Sequence, residues 1–256
     1  MTEQTLAGKV ALVLGVANNQ SIAYGVAKAL RARGATIVMP YQTDRTRDFI
    51  APLLEELGVE IAMKCDVTEA GSMEAVFDAI KQKYGRLDIG VHSIAFAPRE
   101  DLHGRIVDIS AEGFKLALEV SCHSFIRMAK LAEPLMVDGG TLLTMSYYGS
   151  ERVVPTYGIM GPIKAALECS VKYLAYDLGP KKIRVHAVSP GPIKTRAGSG
   201  IREFDALIEQ SAQAAPLKEL ADIDDVGEVS AFLCEPGSAR LTGSVMYVDG
   251  GTNIMS

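Results

Sequence analysis

Short apolar runs alternate along this chain with longer amphipathic stretches, and this alternation restricts the possible folds more than any other feature. The runs are rich in Val, Ile and Leu, as buried strands are, and the stretches between them have helical periodicity. Such alternation predicts a parallel sheet covered by helices on both faces, a doubly wound α/β fold. The predicted strands are 10–14, 36–39, 60–63, 87–91, 141–145, 184–188 and 245–248, and the predicted helices include 22–33, 45–57, 72–84, 114–136 and 157–178.

The composition of the 256-residue chain indicates a single globular domain over residues 1–256. Apolar residues make up 48% of it, and no Pro/Ser-rich linker, charge block or internal repeat divides it. The 26 basic and 31 acidic residues are interspersed and leave a net charge of −5. This balance gives no electrostatic support to a nucleic-acid or anionic-membrane partner, so we expect a small ligand.

The sequence contains no pattern typical of a targeting segment or a metal site. Residues 1–9 have no apolar core flanked by basic residues, and no apolar run is long enough to cross a bilayer, so we expect a cytoplasmic protein with no membrane span. The cysteines and histidines form no cluster with ligand spacing, so we expect no disulfide and no bound metal. These residues are Cys65, Cys122, Cys169 and Cys234, and His92, His103, His123 and His186.

The segment after the first predicted strand suits a phosphate group. Ligands of doubly wound sheets bind at the carboxyl ends of the strands. Gly15 permits a tight turn there, Ser21 can cap the next helix, and the helix amino terminus at Ile22 offers N–H groups to a pyrophosphate. The segment therefore predicts a Rossmann-like dinucleotide site. The usual fingerprint of three closely spaced glycines is missing, so an ordinary strand-to-helix turn remains an alternative.

The end of the second strand bears on which dinucleotide is bound. Rossmann domains usually have an acidic residue here for the adenosine ribose, whereas this chain has Gln42, which can bind the ribose hydroxyls without charge. No basic residue directly adjoins Gln42, although Arg45 and Arg47 lie a few positions further on. The sequence therefore favours NADH over NADPH.

Residues after the third and fourth strands complete the predicted cofactor surface. Asp66, followed by Val67, offers a carboxylate to the adenine amino group, with capping of the next helix as an equal alternative. Ser93 and Ile94 belong to a small apolar stretch of the kind that lies beside a cofactor.

Tyr157 and Lys164, with a second tyrosine at Tyr147, form the candidate catalytic group. Seven residues make nearly two turns of α-helix, so Tyr157 and Lys164 are predicted to project from one helix face. A lysine ammonium near a tyrosine favours the phenolate and makes the hydroxyl a better proton donor to a developing enolate or alkoxide. The same spacing also arises by chance on solvated faces. Pro162 would remove a helical hydrogen bond if the helix began near residue 155.

Together these motifs resemble those of the short-chain dehydrogenase/reductases over essentially the full chain. Within that superfamily the chain is similar to the NADH-dependent enoyl-acyl-carrier-protein reductases of type II fatty-acid synthesis. Most ketone-reducing members have Tyr-x3-Lys with an upstream serine, whereas this chain has the wider Tyr-x6-Lys spacing. The motifs that carry the resemblance are Gly15 with residues 21–25, Tyr41-Gln42, Cys65-Asp66-Val67, His92-Ser93-Ile94, Tyr147 with Tyr157 and Lys164, and residues 191–195.

The resemblance implies reduction of a trans-2-enoyl thioester by NADH. Tyr157 would donate a hydrogen bond to the thioester oxygen, and Lys164 would bind the nicotinamide ribose. Tyr147 would shape the acyl pocket or help to orient the substrate, with a structural aromatic role as the alternative. Ile193 and Thr195 would contact the nicotinamide carboxamide and the diphosphate.

The resemblance also implies a substrate pocket and partners. Residues 195–213 would form a lid that covers the acyl chain and excludes water. Ala97, Met160 and Phe204 would line the apolar slot, although residues of this type are more often ordinary core. The substrate would arrive on an acyl-carrier protein, and the enzyme would be a homotetramer.

Two other functions remain open. A carbonyl reductase or alcohol dehydrogenase of the short-chain type would share the fold, but Thr144 stands thirteen positions before Tyr157, where such enzymes have serine. A non-catalytic nucleotide-binding regulator would keep the fold without the chemistry, and would have no need of Tyr157 and Lys164.

Overall fold

The computed structural model describes residues 4–155, 157–195 and 204–255. Within them six strands form one sheet in the order β2-β1-β3-β4-β5-β6, and each neighbouring pair is parallel. The predicted doubly wound α/β fold is confirmed. The strands are β1 (Val10–Leu14), β2 (Thr36–Val38), β3 (Ile89–His92), β4 (Gly140–Met145), β5 (Ile183–Pro190) and β6 (Val245–Val248).

Helices cover both faces of this sheet. They are α1 (Ile22–Ala32), α2 (Asp44–Glu56), α3 (Ser72–Tyr84), α4 (Arg99–His103), α5 (Ala111–Leu118), α6 (Ser124–Ala132), α7 (Met160–Leu178), α8 (Phe204–Ala214) and α9 (Ile223–Cys234). The core on one face includes side chains of α1, α2 and α9, and the core on the other includes side chains of α3, α6 and α7. Among the residues described, each helix is too short or too polar to span a bilayer.

Strand β1 packs against the cores on both faces of the sheet, and its position determines where a ligand can bind. All five of its residues are buried, and because side chains alternate along a strand, Leu12 contributes to one core and Val13 to the other. The chain leaves β1 for β2 on one side and returns to β3 on the other. This reversal opens a crevice at the carboxyl ends of β1 and β3, which is where such sheets bind ligands.

The predicted strand at residues 60–63 is wrong. Only two isolated parallel bridges form in this region, one from Ile61 and one from Lys64. The N–H group of Met39 donates to the carbonyl of Ile61 at 3.1 Å, so the segment does run beside β2 at the edge of the sheet. Ile61 is buried against the core that includes α3, whereas Glu60 and Lys64 are exposed. Core packing therefore explains the apolar residues of this segment without a continuous strand ladder.

The predicted helix at residues 114–136 is divided. A π-helical turn over Glu119–His123 separates α5 from α6, and a 3-10 turn over Glu133–Leu135 follows α6. The π-helical turn includes Ser121, whose hydroxyl accepts from the Phe96 N–H at 2.9 Å and donates to the Phe96 carbonyl at 3.1 Å. Apolar periodicity does not reveal such a turn, because its five residues continue the helical run from α5 into α6 without a break.

Glycines at the crossing of α1 and α9 bring these helices into close contact. A Cβ atom on Gly25 would lie 2.0 Å from the carbonyl oxygen of Ile223, and one on Gly227 would lie 2.5 Å from the carbonyl oxygen of Gly25. Real Cβ atoms do not approach backbone so closely, so these two positions need glycine. The crossing fixes α1, and with it the helix amino terminus that faces the crevice.

We expect Gly25→Ala to lower the free energy of unfolding by on the order of 1–3 kcal/mol, because the added methyl must push α1 and α9 apart. Urea-induced unfolding followed by circular dichroism measures this change. Gly179→Ala is the matched control, since Gly179 has φ −54° and a Cβ there would meet no atom within 4 Å. Equal stability of the two variants would contradict the proposed role of Gly25.

Candidate active site

A cavity of about 340 Å³ opens at the carboxyl ends of β3, β4 and β5. Its wall combines small apolar residues after β3, the end of β4 and the residues that follow it, and the Pro-rich segment after β5. The structure brings together here most of the residues predicted from the sequence. They are Ile22, Ser93, Ile94, Ala97, Tyr147, Tyr157, Met160, Lys164, Ile193, Thr195 and Phe204.

The other predicted cofactor residues lie outside this cavity, along the crevice toward β2. Gly15 directly follows β1 and has φ +104°, a conformation that L side chains rarely adopt. A Cβ atom on Gly15 would lie 2.1 Å from the carbonyl oxygen of Ser93. Glycine at this position therefore allows the loop after β1 to pack directly on the segment after β3, which shapes the crevice between them.

Ser21 does not cap α1 with its side chain, contrary to the sequence prediction. It occupies the N-cap position with an extended backbone, but its hydroxyl oxygen accepts from the N–H groups of Ala17 at 3.0 Å and Asn18 at 3.1 Å. Ser21 thus organises the preceding loop. No side chain caps α1, and Ile22 at its first position lines the cavity, so this helix amino terminus is placed to meet an anion.

Gln42 and Asp66 lie together at the far end of the crevice. The Gln42 side-chain amide donates to Asp66 at 3.1 Å. Asp66 also accepts from the N–H and the hydroxyl of Thr68, at 2.9 and 2.7 Å, so it caps a local turn and not α3, whose N-cap is Gly71. Burial alone would raise the pKa of Asp66, but the hydrogen bonds from Thr68 and Gln42 outweigh it and lower that pKa. The group is therefore a carboxylate at neutral pH.

Val67, the remaining predicted cofactor residue, presents no side chain to the crevice because it is 5% exposed and packs in the core. Its carbonyl oxygen accepts from the guanidinium of Arg127 at 2.9 Å. Arg127 was not identified from the sequence, since a single arginine within an amphipathic stretch carries no distinguishing signal.

Tyr157 is not on a helix, contrary to the sequence prediction. It lies in a turn, and α7 begins only at Met160. Gly158 follows with φ +51°, which turns the backbone before the helix starts. Pro162 is consequently the third residue of α7, where its missing N–H would have no partner within the helix, so it removes no helical hydrogen bond.

Lys164 is 4% exposed, and its Nζ atom donates to the carbonyl oxygen of Met145, the last residue of β4, at 2.6 Å. Burial lowers the pKa of Lys164 to about 8, although the carboxylate of Glu168 opposes this change. The ammonium is thus still charged at neutral pH, and it loses its proton far more readily than an exposed lysine.

The two tyrosines of the candidate catalytic group are in contact. The rings of Tyr147 and Tyr157 meet edge to face with centroids 4.7 Å apart. Burial raises the pKa of Tyr147 to about 12. Burial is also the largest cause that raises the pKa of Tyr157 above its ordinary value, and the electrostatic effects of Tyr147 and Glu168 raise it further. The prediction that Lys164 would favour the phenolate of Tyr157 is therefore wrong for this structure. Tyr157 is a protonated phenol that can donate a hydrogen bond.

Several buried polar residues beneath the cavity were not identified from the sequence. His92 is fully buried, its Nε2 lies 2.6 Å from the Ser124 hydroxyl, and its Nδ1 lies 3.4 Å from the Thr144 hydroxyl. Burial, followed by the charge of Lys164, lowers the pKa of His92 to about 3, so the ring is neutral. Glu168 is also buried and stands one turn after Lys164 on α7. The four-residue spacing from Lys164 is the sequence pattern that points to Glu168.

Part of the cavity wall is apolar. Ala97, Met160 and Phe204 line it, together with Leu102 of α4, which the sequence did not single out. Of the predicted lid, Thr195 and the helix α8 are described, and residues 196–203 lie outside the described part of the chain. Within the described ranges, no group of three or more His, Cys, Asp or Glu side chains is placed to hold a metal ion.

Comparisons with known proteins point to one family. A family profile described as "Enoyl-(Acyl carrier protein) reductase" matches residues 15–253. An "Enoyl-[acyl-carrier-protein] reductase [NADH] 1" from Rhizobium meliloti (strain 1021) is 46% identical over 244 residues, which cover 95% of this chain and 90% of the relative.

Solved structures agree with this match. A reductase from Anaplasma phagocytophilum in complex with NAD has a TM-score of 0.95 and 42% identity, and the match covers 100% of this chain and 97% of that one. The Bacillus cereus enoyl-acyl carrier protein reductase, solved with NADP+ and an indole naphthyridinone, has a TM-score of 0.96, 40% identity and full coverage of both chains.

Replacing the buried lysine tests its altered pKa. A lysine in an unfolded chain has a pKa near 10.4, whereas burial lowers the pKa of Lys164 to about 8 in the folded chain. Between these two pH values the unfolded chain binds more protons than the folded chain. The free energy of unfolding therefore increases as the pH rises through this range. Between pH 7 and 10 the free energy of unfolding of the wild type should therefore rise relative to that of Lys164→Met, by on the order of 2 kcal/mol. Urea unfolding at each pH measures the difference.

Lys172→Met is the matched control, because Lys172 lies on the exposed side of the same helix. Its difference from the wild type should stay constant over this pH range. A constant difference for Lys164→Met as well would contradict the lowered pKa.

Proposed function

The chain belongs to the enoyl-(acyl carrier protein) reductase family, and we propose that it uses NADH to reduce the trans-2 double bond of enoyl thioesters carried by an acyl-carrier protein. The observation that carries this proposal is the placement of Tyr157 and Lys164, seven residues apart in sequence, in one cavity that apolar side chains also line. A protonated phenol and a buried ammonium in one cavity suit a reaction in which negative charge develops on a substrate oxygen.

The residues of the crevice fit a nicotinamide dinucleotide. The tight approach of Gly15 to Ser93 and the uncapped first turn of α1 suit a diphosphate at the end of β1. Gln42 and Asp66 would hold the adenosine end, where Gln42 offers its amide to the ribose hydroxyls. Ile22, Ser93, Ile94, Ile193 and Thr195 would bind the nicotinamide end, because all of them line the cavity beside Lys164.

When bound, the reduced nicotinamide supplies a hydride for carbon 3 of the enoyl thioester. Tyr157 donates a hydrogen bond to the thioester oxygen, on which negative charge accumulates as the double bond is reduced. The raised pKa of Tyr157 keeps its phenol protonated at neutral pH, so the donor is ready before the reaction begins. Protonation of the enolate at carbon 2 then completes the reduction.

Lys164 and Tyr147 support this step in different ways. Lys164 is held by the Met145 carbonyl and would bind the ribose hydroxyls of the nicotinamide with its remaining N–H groups. Tyr147 packs edge-on against Tyr157 and would fix the direction of that phenol while closing one side of the acyl pocket. Ala97, Met160 and Phe204 would contact the acyl chain.

We also propose a lid, a location and an assembly for this single domain. The amphipathic helix α8 and the residues before it, from 195 to 213, would cover the acyl chain and exclude water. The family relationship supports a cytoplasmic homotetramer. Large exposed apolar side chains on α5 and α7, namely Phe114, Tyr173 and Tyr176, are consistent with these helices at a subunit interface.

An assay with two substrates tests the proposed function. We expect NADH absorbance at 340 nm to fall when a trans-2-enoyl thioester is added, and to stay constant with a 3-ketoacyl thioester. Thr144 makes ketone reduction unfavourable, because it is fully buried and its hydroxyl lies against His92 instead of the cavity. Consumption of NADH with the ketone alone would show a carbonyl reductase, and cofactor binding without turnover of either thioester would show a regulator.

We expect Tyr157→Phe to lower kcat on the order of 100-fold, because one preorganised donor to a developing oxyanion is lost. Steady-state kinetics with a trans-2-enoyl thioester measure this loss. Tyr148→Phe is the matched control, since Tyr148 directly follows Tyr147 but does not line the cavity, and it should retain wild-type kcat. Similar kcat values for the two variants would show that Tyr157 takes no part in the reaction.

We expect Gln42→Arg to shift cofactor use from NADH toward NADPH by about tenfold or more in the ratio of their kcat/KM values. A guanidinium at this position would pair with the 2′-phosphate of NADPH, whereas Gln42 offers only an uncharged amide. Parallel kinetics with the two cofactors measure the ratio. An unchanged ratio would mean that Gln42 does not face the adenosine ribose.

A further inference from the structure

Glu168 is a buried carboxylate for which the proposed chemistry has no use. It is 7% exposed and stands one turn after Lys164 on α7. A carboxylate taken out of water is costly unless hydrogen bonds and an opposite charge compensate it. Both forms of compensation are present around Glu168, and both involve residues of the active site.

The hydrogen bonds of Glu168 hold the segment that carries Tyr147, residues 146–150. Its Oε1 atom accepts from the hydroxyl of Ser146 and from the hydroxyl of Ser150, the latter at 2.7 Å. Ser146 directly precedes Tyr147, and Ser150 ends the 3-10 turn that follows it. One carboxylate oxygen on α7 therefore fixes both ends of this segment.

The segment 146–150 in turn packs against Tyr157. A Cβ atom on Gly149 would lie 2.5 Å from Cδ1 of Tyr157, so backbone and ring are already in direct contact. The ring of Tyr147 meets that of Tyr157 with centroids 4.7 Å apart. A shift of the segment would displace the phenol that faces the substrate.

Lys164 precedes Glu168 by one turn on α7, and the charge of Glu168 raises the pKa of Lys164 against the effect of burial. The titratable groups near this ammonium are Glu168 on its own helix, Cys122 on the π-helical turn, His92 on β3 and Tyr157 in the turn before α7. Burial raises the pKa of Cys122 and lowers that of His92 to about 3, so both are neutral at neutral pH. Tyr157 is protonated as well, because burial raises its pKa. Among these four groups, Glu168 supplies the negative charge.

We propose that Glu168 is a positioning residue for the reduction, which as a carboxylate holds the segment 146–150 against Tyr157 and keeps Lys164 in its charged form. The proposal rests on the proposed function, because the reduction is what this positioning serves. Glu168 does not line the cavity, and it acts through Ser146, Ser150 and Lys164.

Two variants separate the two parts of this role. Glu168→Gln keeps an oxygen that can accept from Ser146 and Ser150 but removes the charge. Ser150→Ala keeps the charge but removes one hydrogen bond to the segment. Glu55→Gln is the matched control for the first variant, because Glu55 is exposed on α2 on the opposite face of the sheet from α7.

The test is the pH dependence of kcat/KM for NADH with a trans-2-enoyl thioester, because this ratio reports pKa values of the free enzyme. Glu168→Gln should move the alkaline limb of the profile to lower pH by about one unit, since Lys164 then loses its proton more easily. Ser150→Ala should lower kcat about tenfold and leave the limb at its wild-type position. Glu55→Gln should match the wild type in both respects.

A limb that stays at its wild-type position in Glu168→Gln would overturn the charge role, and wild-type kcat in Ser150→Ala would overturn the positioning role. A wild type that reduces no enoyl thioester would instead refute the proposed function. In that case the link between Glu168 and Lys164 is still measurable from unfolding. The free energy of unfolding of Glu168→Gln should begin to rise, relative to that of the double variant with Lys164→Met, at a lower pH than the wild type does relative to Lys164→Met. The same starting pH in both pairs would overturn the charge role.

Discussion

The buried ammonium of Lys164 is the interaction on which the rest of the site depends. Its hydrogen bond to the Met145 carbonyl joins α7 to the end of β4, so the helix and the central sheet share one fixed point. Removing such a charge from water costs several kcal/mol, and its surroundings reflect that cost. Glu168 supplies a negative charge, while His92 and Tyr157 stay uncharged at neutral pH. Burial destabilises the charge of Lys164, but it also keeps solvent from screening that charge at the place where a dinucleotide would bind.

Parallel topology explains why residues so far apart in sequence meet around this ammonium. β3, β4 and β5 are neighbours in the sheet, and all three end at the same edge. The segments that follow them contribute Ser93, Tyr147 and Ile193 to one cavity. The reversal of strand order at β1 adds the amino terminus of α1, which the glycine-mediated crossing with α9 holds in place. Fold and site are thus consequences of one pattern, the regular alternation of buried strands and amphipathic helices.

The sequence shows this pattern, and the pattern predicts which residues stand at the ends of the strands. Local conformation and electrostatics were less accessible. Ser21 was correctly placed at the start of α1, but its hydroxyl bonds the preceding loop, and a residue type cannot reveal which N–H it will bind. The sequence wrongly predicts the effect of Lys164 on Tyr157, because burial is the largest influence on the pKa of Tyr157, and the depth of a side chain depends on the whole fold.

The spacing of Tyr157 and Lys164 has a different physical basis from the helical one that the sequence suggested. Because α7 begins at Met160, the residues between them comprise a turn followed by one turn of helix, and Gly158 permits the turn through its positive φ. A Cβ atom on Gly158 would lie 2.4 Å from the carbonyl oxygen of Leu102, so this turn also packs tightly on α4. Leu102 itself lines the apolar wall of the cavity. The position of the phenol and the shape of the acyl pocket are therefore coupled through one backbone contact.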